Sequence, residues 1–310
     1  MLKKQRRITM SPSNRFDVSF HVRNVKCAAW LYLPLSTPGK PVPAVVMAHG
    51  LGGVREWRLD NFARAFQKAG YACLVFDYRG FGDSDGSPRQ IVDPNMLLQD
   101  WREAIAYTRT RPEIDPERII LFGTSFSGGH VTKLGAEDNR LAAIIAQCPF
   151  LDGLASIRMT DPVRLLRLTV SAIRDLTRKF RGKPPYLIDI GGPPGTNSLV
   201  MADAADFAAM IPEGVQSETQ IAARITLDII KYRPGLSTPK IKCPILYILC
   251  ESDKLIPIKS SLEHASHAPL GEVHVVPYGH FSIYSGEPYQ DVLAKELDFL
   301  GRKVPLETSA

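Results

Sequence analysis

The feature that most constrains the fold is an alternation of short apolar runs, rich in β-branched residues, with stretches of helical periodicity. This alternation is typical of a mainly parallel sheet that carries helices on both faces, and it predicts the α/β class. Two earlier segments, 16–22 and 26–33, alternate polar and apolar residues and predict an antiparallel opening to the sheet. The apolar runs predicted as buried strands fall at 44–48, 71–76, 118–122, 141–147, 245–249 and 272–276, and the predicted helices at 56–69, 96–110, 125–135, 260–268 and 287–300.

The alternation breaks between residues 151 and 236, where helical patterns surround a Pro/Gly cluster at 191–195 and no clear strand is present. A segment of this length is too long for a plain connection between two strands of one sheet, so we expect it to fold as an inserted unit. We predict that residues 1–150 and 237–310 form one α/β core. Residues 151–236 are predicted to form a mainly helical cap, or lid, over that core.

Residues 118–129 join an apolar run directly to a helical segment through a turn of small residues, Gly-Thr-Ser-Phe-Ser-Gly-Gly. Such a turn is typical of a nucleophile elbow, in which a strained backbone raises a serine hydroxyl above the sheet and the flanking positions must be small. This register makes Ser125 the nucleophile. A second register with Ser127 as nucleophile remains open, and so does a glycine-rich turn without chemistry.

A serine hydroxyl needs a base to accept its proton, and the base needs a carboxylate to hold it. In a fold of this kind the chain order is serine, acid, histidine. Asp253 follows the buried run at 245–250, and His280 lies in a loop after the last predicted strand, so we predict them as the acid and the base. Glu251 is an alternative acid, and Asp152 is a more distant one.

The remaining histidines are interpreted differently. His264 and His267 lie in a predicted helix and His274 lies in a predicted strand, so surface or packing roles explain them. His21 and His130 have no carboxylate in a suitable chain order. No His-Glu-x-x-His pattern or comparable cluster is present, and the sequence therefore predicts neither a metal nor a cofactor.

The segment 49–53, His-Gly-Leu-Gly-Gly, follows a predicted strand and precedes a predicted helix. A tetrahedral intermediate needs backbone N–H groups that already point at the developing charge. We expect the N–H of Phe126, next to the nucleophile, and the N–H of Leu51, in this loop, to form that oxyanion hole. The same glycines loosely resemble a dinucleotide-binding loop, but Arg55 stands where that fingerprint needs its third glycine, which disfavours this alternative.

Composition limits the partners and the compartment. The net charge of +6 is concentrated in the first seven residues and in a basic run at 174–183, and the rest of the chain is slightly acidic. Phe180 is the single aromatic residue in these stretches, so nucleic-acid binding is not expected. The apolar runs are too short to span a bilayer, and no secretory signal is apparent, so no membrane is expected as a partner. Five dispersed cysteines predict reduced thiols and a cytoplasmic protein.

Several of these motifs together resemble the α/β-hydrolase superfamily over nearly the whole chain. The Gly-Thr-Ser-Phe-Ser-Gly-Gly-His sequence resembles more narrowly a subgroup that contains fungal polyketide transferases and thiohydrolases beside bacterial serine hydrolases. This resemblance implies a polyketide acyl group as substrate, released from an acyl carrier protein by hydrolysis or lactone formation. Two positions depart from the subgroup pattern, because His is expected in place of Gly80 and Asp in place of Ser282. The segments that carry the resemblance are 49–53, 76–84, 123–130 and 279–281, with Asp253 between the last two.

These residues predict a serine hydrolase or acyl-transfer enzyme that acts on an ester or thioester through an acyl-enzyme. The serine at position 125 excludes those members of the fold that attack with aspartate. The competing hypothesis is a non-catalytic small-molecule receptor on the same fold, because one fold hosts many functions.

Two features of the predicted cap leave alternatives open. The basic run at 174–183 is interpreted either as a contact for an acidic carrier protein or a phosphopantetheine phosphate, or as a solvated basic face. The apolar residues of the cap either line an acyl pocket or pack the interior of the cap itself. These residues are Leu165, Leu166, Leu168, Val170, Ile173, Leu199, Val200, Met201, Phe207 and Met210.

Overall fold

The structure is a computed structural model that describes residues 14–35, 40–193, 195–201 and 204–306. Its strands are β1 (Arg15–Val22), β2 (Val25–Tyr32), β3 (Val42–Ala48), β4 (Ala72–Phe76), β5 (Ile114–Thr124), β6 (Leu141–Gln147), β7 (Leu187–Gly192), β8 (Ser198–Met201), β9 (Gln220–Ala222), β10 (Ile245–Cys250) and β11 (Gly271–Val276). Its α-helices are α1 (Leu59–Lys68), α2 (Pro94–Arg109), α3 (Phe126–Gly135), α4 (Gly153–Arg158), α5 (Pro162–Phe180), α6 (Ala204–Ala208), α7 (Ile225–Ile229), α8 (Ile258–Ser266) and α9 (Gly286–Lys303). Short 3-10 helices lie at Pro234–Lys240 and Ser282–Tyr284.

Eight strands form one mostly parallel sheet in the order β1-β2-β4-β3-β5-β6-β10-β11. The strands β1 and β2 form the predicted antiparallel opening, and β2 is also antiparallel to β4. Every residue of β3, β4 and β10 is buried, because helices pack over the sheet and leave no solvated face at its centre. The predicted α/β class is confirmed. None of the helices described is both long and apolar enough to cross a membrane.

Most predicted boundaries differ from the structure by a few residues, and the largest shifts in where an element starts are the following two. The helix predicted at 56–69 begins at Leu59, because Arg58 adopts a left-handed backbone conformation with a φ of 62°. The strand predicted at 118–122 is longer and covers Ile114–Thr124. Both differences concern polar ends of elements, where backbone pairing with neighbours, rather than apolar periodicity, decides the boundary.

The inserted segment, residues 151–236, contains α4 to α7 as expected, but the prediction that it holds no strand is wrong. β7 pairs in parallel with β8 and antiparallel with β9, and the three form a second, small sheet. Glycine occupies the last two positions of β7, and β9 has only three residues, so neither composition nor length indicates a strand. The division into a core and a separate cap with boundaries at 151 and 236 stays a prediction.

The two ends of the inserted segment meet at one carboxylate. Asp152, which caps α4, accepts hydrogen bonds from the Arg233 guanidinium at 2.8 and 3.0 Å and lies 3.1 Å from His264 Nε2. Arg233 lies near the end of the segment, and His264 lies on α8, beyond it. These contacts fix where the segment leaves the sheet and where it returns.

A second carboxylate organises the interior of the inserted segment. Asp175 on α5 is fully buried and accepts two hydrogen bonds from the Arg224 guanidinium, at 2.6 and 2.8 Å. It also accepts the backbone N–H of Arg224 at 3.0 Å and that of Tyr186 at 2.8 Å. The bidentate geometry satisfies both groups, and it joins α5 to the residues between β9 and α7.

We expect Asp175→Asn to lower the free energy of unfolding by about 3 kcal/mol or more, because Arg224 would be left buried without a counter-charge. Glu137→Gln is the matched control, since Glu137 pairs with Arg102 at the surface and its loss is expected to cost about 1 kcal/mol at most. Urea denaturation followed by tryptophan fluorescence measures both changes. Equal losses in the two variants would contradict the role given to the buried pair.

Candidate active site

Ser125 lies in a sharp turn between β5 and α3, with a φ of 58° and a ψ of −121°. A residue other than glycine is strained in this region, and the strain persists only where neighbouring structure holds it. Ser125 N–H donates to Gln147 O at 2.9 Å, and Phe150 N–H donates to Ser125 O at 2.8 Å. The turn therefore has the backbone geometry that the elbow prediction requires at this position.

The turn closes because its neighbours are small. A Cβ atom at Gly123 would lie 2.3 Å from Ser127 O, and one at Gly128 would lie 2.7 Å from Pro149 Cα. Ser127 itself is fully buried, and its Oγ accepts a hydrogen bond from Tyr78 Oη at 3.2 Å. In the alternative register, the Ser127 hydroxyl is therefore bonded to a tyrosine rather than to a base.

The predicted base and acid converge on Ser125. His280 Nε2 lies 2.9 Å from Ser125 Oγ, and His280 Nδ1 lies 2.6 Å from Asp253 Oδ2. The other carboxylate oxygen of Asp253 accepts the backbone N–H groups of Leu255 and Ile256, at 2.7 and 2.9 Å. The side chains of His280 and Asp253 are 5% and 3% exposed, so water competes little with these bonds.

Two opposing effects act on the His280 imidazole. Burial lowers its pKa, because the charged ring is poorly solvated, but the Asp253 carboxylate raises it and prevails, so the pKa of His280 lies well above 6.5.

The loop around the ring is braced by Ser282, whose Oγ contacts both Gly279 N and Gly279 O at 3.0 Å. Ser282, at the position where the subgroup pattern predicts Asp, therefore helps to position the loop that carries His280.

The competing carboxylates lie in other surroundings. Glu251 is exposed. Asp152 is engaged in the ion pair that joins the ends of the inserted segment; burial raises its pKa, but the hydrogen bonds from Arg233 and His264 outweigh this effect and lower the pKa to about 2. The carboxylate in contact with the imidazole of His280 is that of Asp253.

His49 is a residue of the site that the sequence pattern does not single out. Its ring is buried, its Nδ1 accepts the N–H of Gly50 at 2.8 Å, and its Nε2 lies 3.0 Å from Trp57 O. Burial lowers the pKa of His49 to about 4, so the ring stays neutral at neutral pH and keeps one acceptor and one donor. His49 thereby fixes the loop that carries Leu51, and its position directly before the glycines is the signal that could have identified it.

The two N–H groups predicted as oxyanion donors belong to residues near Ser125. Phe126 is the first residue of α3, where a backbone N–H has no acceptor within the helix. Leu51 lines the same cavity as Ser125. The approach of its loop requires a glycine at position 50, because a Cβ there would lie 2.8 Å from Ser125 Cβ. The assignment of both groups as oxyanion donors stays a prediction.

A cavity of about 150 Å³ opens at Ser125 and His280 and is walled by the inserted segment. The apolar residues of the predicted cap divide between two environments. Some line this cavity or a smaller one beside it that also reaches Ser125: they are Leu165, Leu168, Leu199, Val200, Met201, Phe207 and Met210. The others lie on the exposed outer face of α5: they are Leu166, Val170 and Ile173.

Comparison with known proteins gives relatives along most of the chain. A quorum-quenching protein, AidA, of Acinetobacter baumannii (strain MDR-ZJ06) is 45% identical over 298 residues, which cover 96% of this chain and 97% of that protein. A polyketide transferase, ATR5, of Stachybotrys chlorohalonatus (strain IBT 40285) is 28% identical and covers 94% of this chain and 99% of its own length. A thiohydrolase, aneE, of Aspergillus aculeatus is also 28% identical and covers 83% of this chain and 85% of its own length.

The solved structure of the α/β hydrolase GrgF from Penicillium sp. sh18 matches with a TM-score of 0.81 and 25% identity, over 94% of this chain and 99% of that chain. The predicted α/β-hydrolase fold and the resemblance to polyketide transferases and thiohydrolases are thus confirmed. A model of the family described as serine aminopeptidase, S33 matches residues 39–282. The chain belongs to this S33 family of α/β-hydrolases.

Proposed function

We propose that this protein is a serine hydrolase or acyl-transfer enzyme that acts on an ester or thioester through an acyl-enzyme. Ser125 is the nucleophile, His280 is the general base, and Asp253 is the acid that holds the base. The observation that carries the proposal is the unbroken line of hydrogen bonds from Asp253 through His280 to Ser125, at 2.6 and 2.9 Å, beside a largely apolar cavity.

In the first half-reaction, Ser125 Oγ attacks the carbonyl carbon while His280 Nε2 accepts the hydroxyl proton. The electron pair of the carbonyl double bond moves to its oxygen, and the N–H groups of Leu51 and Phe126 donate to that oxyanion. The bond to the leaving alcohol or thiol then breaks, and the leaving group takes the proton from His280. Asp253 stabilises the imidazolium between these two proton transfers.

In the second half-reaction, the acceptor attacks the acyl-enzyme, and His280 takes its proton and returns it to Ser125 Oγ. Water as acceptor yields a free acid. A hydroxyl of the acyl chain itself yields a lactone. Both products arise from the same intermediate, so the same residues support hydrolysis and lactone formation.

The names of the relatives support two candidate substrate classes. The polyketide transferase and the thiohydrolase support a polyketide acyl group released from an acyl carrier protein, by hydrolysis or by lactone formation. The quorum-quenching relative, which is more similar, supports hydrolysis of a small signal ester, including the opening of a lactone ring. Incubation with acyl N-acetylcysteamine thioesters and with N-acyl homoserine lactones, followed by mass spectrometry of the products, decides between the two classes.

We expect Ser125→Ala to abolish labelling by a fluorophosphonate probe and to lower kcat for a medium-chain p-nitrophenyl ester by at least about 10⁴-fold, because no other residue forms the acyl-enzyme. Ser127→Ala is the matched control and keeps the labelling, since its hydroxyl is bonded to Tyr78. Gel fluorescence and steady-state kinetics measure both. Wild-type protein that resists the probe would instead favour the non-catalytic small-molecule receptor.

The proposed base also predicts a pH dependence. His280 must be neutral to accept the proton, so kcat/KM should fall as the pH drops through its pKa, which lies above 6.5. Asp253→Asn removes the charge that raises this pKa, so the acid limb should move to lower pH while kcat falls by about 10⁴-fold. Glu251→Gln is the control, and its acid limb should stay in place. A shift of the limb in the Glu251 variant, and not in the Asp253 variant, would reverse the assignment of the acid.

A carrier-bound substrate needs a contact surface for its carrier. The basic run at 174–183 covers the C-terminal end of α5, and the first half of the same helix lines the cavity. Arg178 Nε donates to Pro184 O at 2.7 Å, and the Arg174 guanidinium lies 4.3 Å from the ring centroid of Tyr186. These contacts hold the cations in place. We therefore extend the proposal to an acyl carrier protein whose acidic face binds the basic run at 174–183.

Replacing Arg178 and Arg181 together by Glu should lower kcat/KM for carrier-bound acyl thioesters by about tenfold, because the charge attraction that speeds encounter becomes repulsion. Turnover of acyl N-acetylcysteamine thioesters should be unchanged. Replacing the exposed Lys240 and Lys242 by Glu is the control, since both precede β10 at the opposite edge of the sheet from the site. Equal rates of the two double variants on carrier-bound substrate would contradict the proposed docking surface.

A further inference from the structure

The cavity at Ser125 is mainly apolar, but it is also lined by a buried hydroxyl that has no partner. Thr226 on α7 is 4% exposed, and its Oγ1 makes no hydrogen bond to any described residue. Thr226 stands in the first turn of a short helix, so no helical carbonyl lies four residues earlier to accept its proton. Because a buried polar group without a partner is unfavourable, a ligand that supplies the partner gains affinity.

Arg164 on α5 is a second polar group of this wall. Within the described part of the chain, its guanidinium contacts Ser198 O at 2.9 Å. The carboxylate of Asp161 accepts the backbone N–H of Arg164 at 3.0 Å. By contrast, the buried Arg55 and Arg224 each form an ion pair with an aspartate side chain, at 2.8 and 2.6 Å. Arg164 is thus half-buried beside the cavity, and its guanidinium has further N–H groups that can donate to a ligand.

The two groups belong to one wall. α5 packs against α7, and the other side chains of these two helices that line the cavity, Leu165, Leu168 and Ile229, are aliphatic. A fully alkyl chain would fill the apolar part, leave the Thr226 hydroxyl without a partner and leave Arg164 with its contact to Ser198 O alone. A chain that carries oxygen in place of some of these methylene groups would offer them partners. Asp161 and Lys254 also line the cavity. Asp161 lies beside Arg164 at the start of α5 and offsets its charge, which favours a neutral oxygen over a carboxylate at this wall.

We propose that Arg164 and Thr226 form a polar subsite that selects acyl chains bearing a keto or hydroxyl oxygen over plain alkyl chains. This inference rests on the proposed function in one respect, namely that the acyl chain occupies this cavity. It names the substrate class more narrowly: an oxygenated acyl group, held by the guanidinium and the hydroxyl while Ser125 attacks the scissile carbonyl.

The test uses N-acetylcysteamine thioesters of one chain length: octanoyl, a series with a keto or hydroxyl group at successive positions, and one with a terminal carboxylate. The wild-type protein should prefer one oxygenated member over octanoyl by about tenfold in kcat/KM. Thr226→Val and Arg164→Met should each reduce this preference by about threefold or more, mainly through KM. Comparing ratios between variants cancels differences in intrinsic reactivity among the thioesters.

Two control variants separate recognition from folding. Thr226→Ser keeps the hydroxyl and should keep the preference, and Arg167→Met removes an exposed cation from the same helix and should leave it unchanged. Equal losses on octanoyl and oxygenated substrates, or an equal effect of Arg167→Met, would overturn the subsite. A preference for the terminal carboxylate would overturn the substrate class.

The same ligands bound to the Ser125→Ala variant separate this inference from the proposed function. Isothermal titration calorimetry should give a lower Kd for the preferred oxygenated thioester than for the octanoyl one, and adding Thr226→Val or Arg164→Met should remove the difference. If the wild-type protein turns over no substrate, the proposed function is wrong, but these affinities still test whether the subsite selects oxygenated chains. If turnover is normal and the affinities are equal, the subsite alone fails.

Discussion

The positive φ of Ser125 is a strained conformation, and backbone hydrogen bonds with Gln147 and Phe150 hold it in place. The other features of the site depend on this turn. It directs Oγ toward His280 and makes Phe126 the first residue of α3, whose N–H is then unpaired. Gly50 completes the arrangement, because only a residue without a Cβ lets the neighbouring loop come this close to Ser125.

The pKa values of two buried histidines beside this turn are shifted in opposite directions. Burial lowers the pKa of His49 to about 4, and its neutral ring keeps its contacts with Gly50 N and Trp57 O. Burial acts in the same sense on His280, but the carboxylate of Asp253 overcomes it. A ring held neutral suits a structural role, whereas a ring paired with a carboxylate suits the transient imidazolium of a general base.

The inserted segment is organised by carboxylates that are each matched to an arginine. Asp152 joins its two ends through Arg233, and Asp175 joins α5 to the residues before α7 through Arg224. Since these pairs are satisfied within the protein, they are part of the scaffold. Arg164 differs because its guanidinium contacts a backbone carbonyl rather than a carboxylate in the described structure, and because it also lines the cavity at Ser125.

The sequence by itself determined the α/β class, the antiparallel opening, the family resemblance and the candidates Ser125, Asp253 and His280, because apolar periodicity, small residues at a turn and chain order are local properties. Only the tertiary structure decided that Asp253, rather than Glu251, contacts His280, that β7 to β9 pair as strands, and that His49 braces the loop of Leu51. It also decided which face of α5 lines the cavity and which is exposed. Each of these depends on contacts between residues far apart in the chain, and no local pattern carries that information.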